Sequence, residues 1–162
     1  MFARRLAAGL VIAAITLGTS ACSLTGNVAS LQPYAPSDGQ QVDLEFIKAR
    51  NFIYLVSKNG KGYLVGSLIN SSDEDAVIKV QYQNPVTSEY TDYVVPVAAM
   101  SKLDLGYNGN PPLEFPVVEK PGQTALVFVL ESDTSSASMH VPVLDGALPE
   151  YSLLLEQLQS TN

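Results

Sequence analysis

The 162-residue chain has no tryptophan, a single histidine (His140) and a single cysteine (Cys22). One cysteine excludes an intramolecular disulfide and any multi-thiolate zinc site. One histidine and no G-x-S-x-G elbow leave a hydrolytic triad without its base and its nucleophile turn. Basic residues are also scarce, with nine Lys and Arg against 16 Asp and Glu. No Lys/Arg cluster offsets that imbalance, so a phosphate backbone is repelled and nucleic acid is excluded as a partner. Paired carboxylates remain chemically available, but nothing in their spacing marks a pair.

What the chain does have is a folded-domain composition, with 46% hydrophobic and 15% charged residues. Its length suits one domain plus a leader.

Arg4 and Arg5 open the chain, an apolar stretch covers residues 6–17, and small residues Gly18, Thr19, Ser20 and Ala21 precede Cys22. The apolar part is shorter than the ~20 residues that a permanent membrane helix needs, so residues 1–21 read as an export signal cleaved between Ala21 and Cys22. Thr19-Ser20-Ala21-Cys22 resembles a bacterial lipobox, although Thr19 stands where leucine is usual. That resemblance implies a diacylglyceryl group on the Cys22 sulfur and attachment to the extracytoplasmic face of the cell membrane. Two or more acyl chains at ~0.8 kcal/mol per buried methylene hold a domain there. An ordinary secretory signal, or a retained anchor, is the alternative. Without Arg4 and Arg5 the chain keeps seven basic against 16 acidic residues, a formal charge of −9.

Residues 22–41 hold the modified cysteine and a polar, aperiodic segment with two prolines, read as a tether. Flexible-chain scaling gives it roughly 25 Å of reach. Residues 42–162 form the domain. Residues 43–56 alternate with period two, placing Phe46, Lys48, Arg50, Phe52 and Tyr54 on one side and Ile47, Ala49, Asn51, Ile53 and Leu55 on the other. Asn59-Gly60 signals a hairpin into residues 63–69. Further strands are expected over 76–82, 90–97, 102–105, 113–118, 124–131 and 138–144, with only 150–159 helical. The run 124–130 is apolar on both faces and reads as the central strand. The expected fold is all-β: an antiparallel β-sandwich, immunoglobulin-like or cupredoxin-like, with a short C-terminal helix.

Several segments of this sandwich, GYLVGSLINSSDEDAVIKVQY from Gly62, VPVAAMSKLDLG from Val95, EKPGQTALVFVLES from Glu119 and SASMHVPVLDG from Ser136, resemble the PCuAC-like periplasmic copper-chaperone domain. They are also similar to a branch of small actinobacterial lipoproteins that lacks the full copper-ligand set. That family's metal chemistry joins His and Met on Cu(I), often as His-x-Met, because residues two apart on a strand share a face. Here Met139 is adjacent to His140 and points to the opposite face, so that pair is not expected to hold one ion. Met100 with His140 is the remaining candidate for a reduced copper site.

Asp73-Glu74-Asp75 lacks the alternating oxygen ligands of a calcium loop and reads as a solvated turn. Asn110-Pro111-Pro112-Leu113 superficially resembles the Asn-Pro-Pro-aromatic motif of amino-methylating DNA methyltransferases. It lacks the aromatic residue that stacks on a flipped base, so it carries no function. Tyr82, Tyr90, Tyr93 and Tyr107 fall near loops and strand ends, where tyrosine serves recognition or packs on the rim. The expected protein is a non-enzymatic, membrane-anchored sandwich that binds an unidentified envelope protein or ligand and needs no cofactor. The alternative is a copper-handling accessory protein.

Overall fold

The computed structural model describes residues 37–116 and 118–160. Cys22, Ala21, the signal and most of the tether lie outside the described residues. Nine strands occur among them: β1 (Gln40–Asp43), β2 (Ile47–Val56), β3 (Lys61–Asn70), β4 (Ala76–Gln83), β5 (Tyr90–Val97), β6 (Lys102–Leu105), β7 (Leu113–Pro116), β8 (Thr124–Leu130) and β9 (Ser136–Leu144). One helix follows, α1 (Pro149–Ser160). The strands run in the order β5-β4-β8-β9-β2-β3-β6, with β1 added on β2 and β7 on β3.

The sheet curls into two layers. β5, β4, β8 and β9 make the back layer, and β2 and β3 with β1, β6 and β7 make the front. β9 joins them: residues from Ser136 to Pro142 pair antiparallel with β8, then Val143 and Leu144 pair parallel with Tyr54 and Leu55 of β2. Every other pairing is antiparallel. Between the layers, Phe52, Tyr54, Leu64 and Leu68 of the front meet Ile78, Val80, Val127, Val129 and Val141 of the back, all fully buried. Burial of this apolar surface is the main favourable term of the fold.

The alternation expected along β2 holds on each side of Asn51 but changes phase there. Ile47 and Ala49 face the inter-layer core, yet so do Phe52 and Tyr54, while Ile53 and Leu55 turn outward. A register shift between Arg50 and Ile53 accounts for this. Asn51 takes a positive φ of 52°, and the extra residue of a bulge swaps the faces of everything after it. Gly66 lies opposite, with a φ of 153°, and a Cβ there would come within 2.8 Å of the Phe52 ring. Glycine is required because the ring occupies that space.

α1 explains a second difference. β8 is central in the back layer, as its apolar run suggests, but Leu126, Phe128 and Leu130 are only partly covered. The doubly covered strands are β2 and β3, because Tyr151, Leu154, Leu155 and Leu158 of α1 pack on Ile53, Leu55, Tyr63 and Val65 across the outer face of the front layer. β1 includes Gln40 and Gln41, which the sequence places in the tether. They are exposed and carry no apolar alternation, and they become a strand by pairing along the β2 edge.

Candidate functional site

α1 begins with Pro149, whose missing N–H and fixed φ suit a first helical position, and Glu150 places a negative charge in the first turn. The turn before it is closed by the Asp145 carboxylate, which accepts the Ala147 N–H at 3.0 Å. At the same end, Tyr151 Oη donates to Asp38 at 2.5 Å. Burial, then the adjacent Asp38 carboxylate, pushes the Tyr151 hydroxyl well above the ordinary tyrosine value.

Between α1, the β2–β3 hairpin and the turn after β9 lies a cleft of about 600 Å³. Val56, Pro121, Ala147 and Leu155 give it an apolar lining, while Ser57, Lys58, Asn59, Asp145, Ser152, Glu156 and Gln159 supply polar and charged groups. The hairpin wall is fixed. Ser57 is buried, its Oγ accepts the Lys61 N–H at 3.1 Å, and the Ser57 carbonyl accepts the Gly60 N–H at 3.0 Å. Gly60 supplies the positive φ that the Asn-Gly turn implies.

A second cavity, of about 380 Å³, separates the 106–112 loop from Gln157 and Leu158 at the end of α1. Asp104 orders that loop. It accepts hydrogen bonds from Ser67 Oγ at 2.6 Å, Lys102 Nζ at 2.9 Å and Asn108 Nδ2 at 2.7 Å. The Ser67 hydroxyl and then Lys102 hold its carboxyl below the usual range. Sequence reading misses Asp104; its one local signal is the Lys102-x-Asp104 spacing, which puts opposite charges on one face of β6.

Other sequence candidates resolve into structural roles. The turn holding Asp73, Glu74 and Asp75 is organised by buried Asn70. Its Nδ2 donates to the carbonyls of Glu74, Val97 and Ala98, and its Oδ1 accepts the Ser72 N–H at 2.9 Å. Asp75 accepts the Ala99 N–H at 2.8 Å. Tyr82 is a core residue, with its ring stacked 6.0 Å from Tyr54 and its hydroxyl donating to buried Glu119 at 2.8 Å. Tyr93 packs edge-on against Phe115 at 4.9 Å and donates to the Glu114 carbonyl. Tyr107 packs partly under α1, leaving Tyr90 the exposed member of the four.

The fold does not bring His140 and Met100 together. His140 pairs with Leu126, which pairs with Gln83 at one end of β4, whereas Met100 follows Val97, which pairs with Ala76 at the other end. Seven residues of strand separate those ends, roughly 23 Å at ~3.3 Å per residue. Met139 points into the core, behind His140, as alternation requires. Among the described residues no group of three or more His, Cys, Asp or Glu is arranged to hold a metal. The His140–Met100 pair therefore does not fit a shared copper ion.

No protein-family model matches the chain, and no curated protein matches it. Solved structures similar to the chain include the PCuAC domain of PmoF2 in two forms. The apo PmoF2 PCuAC domain shares 13% identity with a TM-score of 0.49, covering 67% of this chain and 98% of that one. The copper-bound PCuAC domain from PmoF2 shares 14% identity with a TM-score of 0.49, covering 65% of this chain and 98% of that one.

Proposed function

We propose that the chain is a lipid-anchored extracytoplasmic protein whose non-enzymatic β-sandwich binds a ligand or partner at the cell envelope through the cleft beside α1. The observation that carries the binding part is the cleft of about 600 Å³. Small-molecule sites span ~300–1,000 Å³, and this cleft joins four apolar side chains to seven polar or charged ones. The anchoring part rests on the lone Cys22 at the end of an apolar leader. Lys58 on one wall and Asp145 and Glu156 on the other give the cleft both signs of charge, favouring a ligand with an apolar body and a polar end.

The test is photocrosslinking in intact cells, with a photoreactive residue replacing Lys58 or Gln159 on the cleft wall, or Asp73 on a distant turn as control. Discrete adducts from the two cleft positions and none from Asp73 are expected. Identical adduct patterns at all three positions, or none at the cleft, would reject the cleft as the site.

A further inference from the structure

We infer that the outer face of the back layer is a self-association surface, on which a second copy of this chain packs sheet against sheet in an antiparallel two-fold dimer. The inference goes beyond ligand binding in the cleft and stands whether or not Cys22 is acylated.

Register fixes what this face presents. Successive cross-strand rows read Val94, Lys79, Leu130, Ser136; then Asp92, Gln81, Phe128, Ser138; then Tyr90, Gln83, Leu126, His140. Val77 begins the row before them, opposite Pro96. Val77 and Val94 are 63% and 64% exposed and Tyr90 is 52% exposed, with its ring 5.8 Å from Phe128. These residues make one connected patch with partly covered Leu126, Phe128 and Leu130. A contiguous patch of that kind marks an interaction surface far more often than scattered apolar residues do.

Area favours a copy of the same sheet as the occupant. Four strands at ~4.8 Å spacing and seven residues at ~3.3 Å give a footprint of about 20 Å by about 20 Å. The relief of the side chains on it brings each copy toward the ~800 Å² that a partner contributes to a standard interface. Sheets of like twist stack face to face at ~10 Å with strands near −30°.

Charge then selects the orientation. Asp73, Glu74 and Asp75 lead into β4, and Glu131 and Asp133 follow β8, so five carboxylates belong to the Val77 and Leu130 end, with Glu131 held by the Phe46 N–H and Asp75 by the Ala99 N–H. The other end carries His140, Tyr90 and Gln83 and a single carboxylate, Glu89, just before β5. Parallel stacking would set acidic end on acidic end. Rotation about a two-fold axis across the strands instead lays each acidic end over the other copy's His140 end, an isologous contact that closes on itself. The same rotation, centred between the Lys79 and Asp92 rows, sets Lys79 across the ~10 Å gap between sheets from the second copy's Asp92, offset sideways by about one strand spacing, a span their side chains can bridge. Lys79 has no ion-pair partner in its own chain among the described residues.

The test is sedimentation equilibrium on residues 22–162 carrying Cys22→Ser, which excludes acyl-driven and disulfide-linked dimers, at ~0.15 M salt where charge repulsion is screened beyond ~8 Å. A mass rising from one chain to two with concentration is expected. Val94→Lys and Val77→Lys, each checked for native circular dichroism, should hold it at one chain. Lys79→Glu should weaken the dimer at least tenfold, and adding Asp92→Lys should restore it. A single-chain mass up to sub-millimolar concentration, or a dimer indifferent to both valine variants, would overturn the proposal; a partner of other chemistry would then be the occupant.

Discussion

Tyr151 and Asp38 are 113 positions apart, yet the tyrosine hydroxyl donates to the carboxylate at 2.5 Å. The contact ties the first described residues to the helix that covers the front layer, while the Gly39 N–H donates to the Asn51 side-chain Oδ1 at 3.1 Å. A hydrogen bond to a charged acceptor contributes ~1.5–3 kcal/mol when desolvated. Asp38 is exposed, so solvent screening brings this bond below that range. Tyr151→Phe should cost about 1 kcal/mol, seen as a melting temperature roughly 3–5 °C lower. Asp38→Asn should lose less, because the amide oxygen still accepts. Equal melting of wild type and Tyr151→Phe would show that the bond adds nothing.

The same tyrosine belongs to a set that makes the domain sensitive to alkali. Burial is the first cause of an upward shift at Tyr54, Tyr63, Tyr82, Tyr107 and Tyr151, with Glu119 adding to it at Tyr82 and Asp38 at Tyr151. These groups keep their protons in the folded state after the unfolded chain has lost them. The folded state therefore binds more protons above pH ~10, and stability falls as pH rises through that range, by up to ~1.4 kcal/mol per pH unit for each such group. Chemical denaturation should show a flat midpoint below pH 9 and a falling one above pH 10. Tyr82→Phe should reduce the slope; an unchanged midpoint through pH 11 would contradict the burial of these hydroxyls.

The bulge in β2 gives a sharper test. A Cβ on Gly66 would meet the Phe52 ring at 2.8 Å and the carbonyl oxygens of Arg50 and Asn51 at 3.0 Å, and its φ of 153° is one that side chains rarely adopt. Backbone strain of this kind costs ~1–3 kcal/mol before any clash. Gly66→Ala should therefore destabilise by at least about 2 kcal/mol. At Gly60, where nothing lies within 4 Å, alanine should cost only the strain of its positive φ. Equal losses at the two glycines would remove the packing argument.

These residues also show where sequence reading stops. Alternation is local, so Ile78-x-Val80-x-Tyr82 and the turn chemistry around Asn70 mark β4 and its start almost to the residue. The phase change at Asn51 depends on Gly66 and Phe52 facing one another across strands, which no single strand records. Coverage is also non-local. The run at 124–130 looks buried on both faces, but α1 settles on β2 and β3, where Tyr63 and Val65 complete its apolar contact. The cleft follows from that choice, which is why its lining residues carry no motif. The distance between His140 and Met100 was legible only in part: alternation separates His140 from Met139, while the full register is needed to place Met100 at the far end.

Asp104 predicts an acid response of opposite sign to the tyrosines. Ser67, Lys102 and Asn108 stabilise its charged form. Its depressed value means that stability is present above the unfolded carboxylate pKa of ~3.9 and is lost as pH falls through the lower folded value. Asp104→Asn should flatten the loss of stability below pH 4 and, at neutral pH, loosen the 106–112 loop, visible as faster amide exchange at Asn110, whose N–H bonds to the Tyr107 carbonyl at 3.0 Å. Unchanged exchange there would mean that the loop holds itself.

Copper binding can be tested against the register directly. If His140 and Met100 shared one ion, removing either would abolish affinity; on strands that place them at opposite ends, they cannot act on the same ion in one chain. Anaerobic Cu(I) titration against a competing chelator should therefore show no affinity that requires both residues, with His140→Ala and Met100→Ala behaving independently. The proposed lipid attachment is separable from this and rests on Cys22 alone. A fatty-acid analogue fed to cells should label the wild type and leave Cys22→Ala unlabelled, with the variant released from the membrane fraction. Equal labelling would remove the anchor, and with it the argument that the cleft beside α1 works at a membrane surface.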